Sequence, residues 1–306
     1  MTEDATPQRL HLIDGKTREH LERLVPAINQ YADLLCDHSS PRPGSAFAAE
    51  EGVLTIRSPR DAVTVVGLNA LDHLHLAATS VLNSSRITAF ATFTLVRSAI
   101  TAAGLAGWLL ASDDSIVRQT RTLNLTYHEL KNERTAAREL VGQDKPDLPE
   151  HAVYNARHKS ASAAVERLTA RLEDVKMDAV RIGAAADMSK EALLCVTDKP
   201  TDTSMIGEAT KLVRAQEYYE DFGAKQEVVR VWRTMSAHAH GLSWAAEMTT
   251  ARGTDANGRE VTLWNPQGED LLQGIQVAWD LLYGMAEKYI ELLGARPTEG
   301  EVSGTD

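Results

Sequence analysis

The sequence predicts an all-α protein, a single bundle of about seven or eight helices with one short β-hairpin insertion. Apolar residues recur at helical spacing, helix-capping and helix-breaking residues separate these stretches, and strand-like alternation is confined to one place. A chain of 306 residues with 43% hydrophobic residues can bury a substantial core. We therefore expect a helical bundle domain over residues 17–293, a flexible N-terminus over residues 1–16 and a disordered C-terminal tail over residues 294–306.

The first elements are marked by local signals. A first helix is expected from about Thr17 to His38, with a bend at Pro26, because proline lacks an amide hydrogen and clashes with the preceding turn. Residues 39–57 are expected to form a loop with a short extended piece. The next helix should begin at SPRD (residues 58–61), where a capping serine precedes a proline and an acid in the first turn.

The most apolar segment, residues 87–111, could be mistaken for a membrane span. Its one charge is Arg97, and a central arginine costs about 2.5–3.5 kcal/mol on the insertion scale. We therefore expect a buried central helix of a soluble bundle and no membrane association. Arg97 should then be paired or line a cavity, because an unpaired buried charge is very costly. Asp72, in the preceding helix, is a plausible partner for it.

The second half of the chain continues the helical pattern. Residues 112–114 start a long amphipathic helix that should end near Val141, and a second long helix covers about residues 150–181. Further helices are expected up to residue 240, with a division near Gly223. The hairpin is expected at about residues 247–264, around the turn sequence DANG, and a closing helix follows it.

Composition limits the classes of function. A formal charge of -11 and a pI near 5.4 predict a soluble protein without a broad nucleic-acid or membrane surface. The chain has only two cysteines, Cys36 and Cys195, which fits a reducing cytoplasm. A local basic patch is compatible with this charge: Arg118 and Arg121 could contact phosphates, although a solvated helix face is the more common outcome for such residues. His73 and His75 point about 200° apart on a helix, so they do not share a metal ion. We expect neither a metal nor a cofactor.

The densest cluster of chemically active residues is VWRTMSAHAHGLSWA, residues 231–245. Arg233 lies almost opposite an apolar stripe that marks this segment as a core helix. At about 100° per residue, His240 falls within about 20° of Arg233, whereas His238 is rotated about 140° away from it. In a continuous helix, Arg233 and His240 therefore share a face and His238 packs sideways. The stripe consists of Val228, Val231, Trp232, Met235, Ala239 and Leu242.

The spacing R-x4-H from Arg233 to His238, overlapped by R-x6-H from Arg233 to His240, resembles the motif of the HEPN superfamily. This resemblance implies an all-α, metal-independent endoribonuclease, of the kind found in toxin–antitoxin and phage-defence systems. Such an enzyme acts as a homodimer on an RNA substrate, and an antitoxin would be its protein partner. Arg233 would stabilise the phosphate charge, and His238 or His240 would exchange a proton near neutral pH. Thr234 stands where the family usually carries a polar Asn, Asp or His.

A second resemblance covers more of the chain. A group of uncharacterised bacterial helical proteins carries an early LxR…WLL helix and a late WRxxSxxxHG helix. The corresponding pieces here are LVRSAITAAGLAGWLL, residues 95–110, and WRTMSAHAHG, residues 232–241. This resemblance implies a shared fold and no particular activity.

Two functions of different class follow. The first is a HEPN-like endoribonuclease with Arg233, His238 and His240 as catalytic residues. Arg97 would lie near the same cleft, with Arg118 and Arg121 as further phosphate or ligand contacts. The second is a non-catalytic helical module that recognises a protein partner or a small ligand. In that case the histidines near Gly241 pack or complement the negative end of the helix dipole.

Overall fold

The computed structural model describes residues 15–37, 40–83, 89–141, 152–214, 219, 223–242, 250–254, 260–264 and 268–294. The predicted all-α class is confirmed. Within these ranges the helices are α1 (Gly15–Cys36), α2 (Ala46–Glu50), α3 (Pro59–Asn83), α4 (Ala89–Leu110), α5 (Ser115–Val141), α6 (Ala152–Arg181), α7 (Leu194–Thr197), α8 (Asp202–Ala209), α9 (Ala224–Ala239) and α10 (Gly268–Leu293).

The predicted helix count is too low, since the described residues contain ten α-helices. One reason is α2, which lies in the segment predicted to be a loop. It has five residues, too few to show a helical period in the sequence. Its one local signal is Ser45, whose hydroxyl accepts a hydrogen bond from the Ala48 amide at 3.2 Å.

The start signals of the longer helices are confirmed. Helix α3 begins at Pro59, and the Asp61 amide donates to the Ser58 hydroxyl at 3.1 Å. Helix α5 follows a side-chain cap in which the carboxylate of Asp114 accepts from the Ile116 amide at 2.8 Å. These caps satisfy amides that have no partner inside the helix.

Two strands precede α10. Strand β1 (Thr250–Thr254) pairs antiparallel with β2 (Glu260–Trp264). The turn predicted to join them, in residues 255–259, lies outside the described residues. So do residues 1–14 and 295–306, which contain most of the predicted flexible ends.

The described residues form two compact units where one domain over residues 17–293 was expected. The first unit draws on residues 1–39, 64–107 and 202–288, and the second on residues 40–63, 108–201 and 289–306. Several boundaries fall inside α3, α4 and α10, so no linker composition marks them in the sequence.

The core of the first unit surrounds the middle of α4. Val96, Ala99, Ile100 and Ala103 are buried in it. Helix α8 packs against α4 closely enough that a methyl group at Gly104 would lie 2.5 Å from the side chain of Ile206. Small residues in α4 therefore serve close helix packing.

The second unit is built on α5 and α6, which pack against each other. Its core cluster consists of Leu54, Leu123, Leu130, Leu168, Leu172, Val175, Ala179, Ala185, Leu193 and Val196.

Two helices are long and apolar enough to cross a membrane by length and composition alone. They are Pro59–Asn83 and Phe90–Leu110, and 44% and 61% of their most apolar windows are buried within the protein. Core helices of soluble proteins meet the same criteria, so the expectation of no membrane association stays a prediction.

Candidate functional site

The helix that carries the motif is continuous from Arg233 to His240. Helix α9 begins after Gly223, whose φ of 75° suits glycine, and reaches Ala239. His240 still has helical backbone angles, with φ −92° and ψ 0°. The chain then leaves the helix at Gly241, where φ is 64° and the Leu242 amide bonds to the Ala237 carbonyl at 2.9 Å. Helical geometry therefore holds from Arg233 to His240.

This geometry separates the two candidate histidines. Arg233 and His240 are both exposed, seven positions apart and thus on nearly the same side of α9. His238 is 2% exposed and points into the first unit. The predicted site residues are therefore not one cluster, because Arg233 and His240 face solvent whereas His238 belongs to the core.

His238 packs against an aromatic ring in the core of the first unit. Its imidazole stacks on the ring of Phe93 in α4, with centroids 4.4 Å apart and planes 15° apart. Its Nε2 atom is buried and has no hydrogen-bond partner among the described residues. Burial lowers the pKa of His238 below its usual value, and the charge of Asp270 opposes this shift only in part. Burial thus disfavours the charged form of His238 and keeps its side chain away from solvent.

Arg97 lies against α9, as the sequence predicted, but its partner is not the predicted one. Its Nε donates to the Ser236 hydroxyl at 3.1 Å, across 139 residues of sequence. Asp72, the partner suggested by the sequence, is exposed on α3 and makes no ion pair with Arg97. Arg97 is half-buried, and its Nη atoms have no partner within the described part of the chain.

These positions define a small surface that we call the Ser236 patch: Arg97, Arg233, Ser236 and His240. Ser236 is three positions after Arg233 and four before His240, within about 60° of both on the helix. The Arg97 guanidinium reaches α9 at this serine. Arg97 therefore contacts Ser236, and Arg233 and His240 lie within about one turn of it on α9, in a chain whose formal charge is -11. Such a local positive surface attracts anionic groups.

Arg118 is a structural residue, so the prediction that it contacts phosphate is corrected. It is 1% exposed in the second unit. Its Nε donates to Glu50 Oε1 at 3.0 Å, its Nη2 binds the same oxygen, and its Nη1 donates to the Ser112 carbonyl at 2.7 Å. Arg118 and Glu50 are 68 positions apart in the chain, so no local sequence pattern indicates this buried ion pair.

Arg121 also makes contacts within the protein, and its predicted role as a phosphate contact stays a prediction. Its Nη1 donates to the carbonyl of Trp108, one of the last four residues of α4, where helix carbonyls lack partners. Its guanidinium carbon lies 5.3 Å from the centre of the Trp108 ring, within range of a cation–π contact.

The described residues offer no metal site, and their pocket lies away from the predicted site residues. No group of three His, Cys, Asp or Glu side chains that could hold a metal ion occurs in the described ranges. A pocket of about 240 Å³ lies in the second unit, among residues 41–61, and none of the predicted site residues lines it. Among the described residues, the Ser236 patch is where Arg97 contacts the helix that carries Arg233 and His240.

Comparisons of the chain with protein-family models, with curated proteins and with solved structures found no match. The HEPN resemblance consequently stays a prediction.

Proposed function

We propose that the Ser236 patch binds the phosphodiester backbone of RNA and that the protein is a HEPN-like, metal-independent endoribonuclease. The observation that carries this proposal is the position of Arg97, whose guanidinium meets α9 at Ser236, between Arg233 and His240. Two arginines can hold one phosphate and stabilise the charge that develops on it. A histidine beside them supplies proton transfer at neutral pH.

In the proposed reaction, the imidazole of His240 takes the proton of a ribose 2′-hydroxyl. The 2′-oxygen then forms a bond to the adjacent phosphorus, and the bond from phosphorus to the 5′-oxygen breaks. The imidazolium returns its proton to the leaving 5′-oxygen, which gives a 2′,3′-cyclic phosphate and a free 5′-hydroxyl. Arg97 and Arg233 would hold the non-bridging oxygens throughout this sequence.

In this proposal the catalytic histidine is His240, at the R-x6-H spacing from Arg233, and not His238, at the R-x4-H spacing. His238 meets the motif spacing, but it is 2% exposed and stacked on Phe93, so a substrate hydroxyl does not reach it. His240 is exposed on the face of Arg233. In one chain the Ser236 patch consists of the exposed side of α9 and one residue of α4. In the homodimer that the HEPN resemblance implies, the second chain would cover this patch.

A second candidate function is supported by that same exposure. Active sites usually exclude water from the reacting groups, whereas Arg233 and His240 stand on an open helix face. A non-catalytic module would use the patch to bind an anionic group of a protein partner or a small ligand, with no bond broken.

The deciding experiment measures RNA cleavage in a metal chelator, together with RNA binding. For the enzyme, His240→Gln should lower cleavage about 100-fold or more, since a general acid–base group contributes about 10²–10⁴-fold. Its RNA affinity should stay within about three-fold, as glutamine keeps the polar contact. Arg233→Ala should lower both and relieve any growth arrest on expression.

The matched control is Arg230→Ala. Arg230 is exposed on the same helix, but its guanidinium is held by Glu227 at 2.8 Å, so it should not contact substrate. RNA binding without cleavage by the wild-type protein would favour the binding module. Wild-type protein that neither binds nor cleaves RNA would overturn the ribonuclease proposal.

A further inference from the structure

An aromatic side chain lies one helical turn from the Ser236 patch. Trp232 is four positions before Ser236 on α9 and is half-buried. Its indole Nε1 donates to the Thr101 hydroxyl of α4 at 2.9 Å. Thr101 in turn donates to the backbone carbonyl of Arg97 at 2.9 Å. The ring is therefore tied to the same turn of α4 that presents Arg97.

The two hydrogen bonds between α4 and α9 lie one helical turn apart on both helices. Thr101 follows Arg97 by four positions, and Trp232 precedes Ser236 by four, so the contact from Trp232 to Thr101 lies one turn from the contact of Arg97 with Ser236. One turn of helix rises about 5.4 Å. A flat aromatic ring and a guanidinium thus stand side by side, at a separation set by two hydrogen bonds.

The chemistry of this pair matches one class of ligand. The indole N–H is already satisfied by Thr101, so the part of the ring that remains for recognition is its apolar face. Proteins that bind single-stranded nucleic acids combine cations for the phosphates with aromatic rings on which bases stack. In duplex RNA the bases are paired and stacked on each other, and they are recognised mainly by shape and backbone.

We propose that Trp232 is the stacking platform for an unpaired base of the RNA whose phosphate binds at Arg97. This inference rests on the proposed function and specifies its substrate class, which is single-stranded RNA. Trp232 sets specificity for unpaired strands and takes no part in proton transfer. Thr101 is a positioning residue that holds the indole beside Arg97.

The test uses fluorescein-labelled oligodeoxyadenosine dodecamers as probes, because DNA lacks the 2′-hydroxyl and is not cleaved by the proposed reaction. Three probes are compared by fluorescence anisotropy: the single strand, the same strand in a duplex, and a strand with abasic sites. Wild-type protein should bind the single strand most tightly. Trp232→Phe keeps an aromatic face and should stay within about three-fold of it.

Trp232→Leu removes the aromatic face and should weaken single-strand binding about 5- to 150-fold, as expected when the stacking of one base is lost. The abasic probe should not distinguish Trp232→Leu from wild type. Thr101→Val keeps the tryptophan but removes the hydroxyl that accepts from its indole N–H and positions the ring, and should give an intermediate loss. Thermal unfolding identifies any variant that fails to fold, and Thr101→Val then supplies the test.

The outcomes separate the two proposals. If Arg97→Met abolishes binding while Trp232→Leu and Thr101→Val bind the single strand like wild type, the stacking inference is overturned and the phosphate site stands. Duplex binding as tight as single-strand binding overturns the inference in the same way. If wild-type protein binds none of the probes and cleaves no RNA, the proposed function fails together with it.

Discussion

Removal of Arg118 should destabilise the second unit and leave RNA binding by the folded protein unchanged. The side chains of Arg118 and Glu50 are each 2% exposed, and both Nε and Nη2 of the arginine bind one carboxylate oxygen, Oε1. The other oxygen, Oε2, is buried and has no partner in the described part of the protein. In Arg118→Met the carboxylate is therefore buried with no hydrogen bond from a charged group. Breaking a buried pair by removing one partner costs about 3–5 kcal/mol.

The pair itself is not expected to be a large source of stability. Burial raises the pKa of Glu50 even though Arg118 opposes the shift, which shows that desolvation is the larger effect on this carboxyl. The double variant Glu50→Leu with Arg118→Met replaces both charges by apolar groups. Such replacements are often neutral or stabilising. We expect the double variant to be more stable than either single variant.

The measurement is the free energy of unfolding in urea, followed by far-ultraviolet circular dichroism, for the four members of this cycle. Arg171→Met is the matched control, because Arg171 is exposed on α6 and should change stability by less than about 0.5 kcal/mol. A cost below about 1 kcal/mol for Arg118→Met would refute the reasoning. So would loss of RNA affinity in a variant of unchanged stability, which would restore Arg118 as a phosphate contact.

Two further predictions concern the first unit. Gly284→Ala should cost about 1–3 kcal/mol by urea unfolding, because its methyl group would lie 2.7 Å from the carbonyl carbon of Leu212 and closer to its oxygen. The matched change Gly207→Ala meets only the movable end of a lysine and should be nearly neutral; equal losses would contradict this account. His238 should make stability depend on pH. Its pKa is lowered in the folded protein, so its contribution is present above the unfolded value near 6.5 and is lost as pH falls below it. His238→Phe should lose less stability than wild type between pH 7 and pH 5.

The parts of the fold that were predictable are those set by neighbouring residues. Helix starts at Pro59 and Ser115 depend on serine and aspartate side chains within three positions, so the sequence contains the whole interaction. Helix α2 was not predicted because five residues are too few to show a helical period of apolar residues. Its one local sequence signal was the capping serine, Ser45. The division into two units was not predictable, because several of its boundaries run through continuous helices.

The site was predictable only where helix geometry decides the outcome. The continuous helix and the apolar stripe placed Arg233 and His240 on one side, and both are exposed. Partners that come from distant segments were not predictable. The sequence suggested Asp72 for Arg97, where the structure has Ser236, and it contained no indication that Glu50 neutralises Arg118.

A motif counted in residues is ambiguous until its spacing is converted into an angle. Arg233 and His238 satisfy R-x4-H, yet about 140° of rotation separates them on a continuous helix. The apolar stripe that carries Val231 and Met235 into the core carries His238 with it, and the same rotation keeps His240 outside. Burial of one histidine and exposure of the other are thus two consequences of a single feature, the phase of α9. Substitution of His238 should accordingly change stability, and substitution of His240 should change whatever chemistry the patch performs.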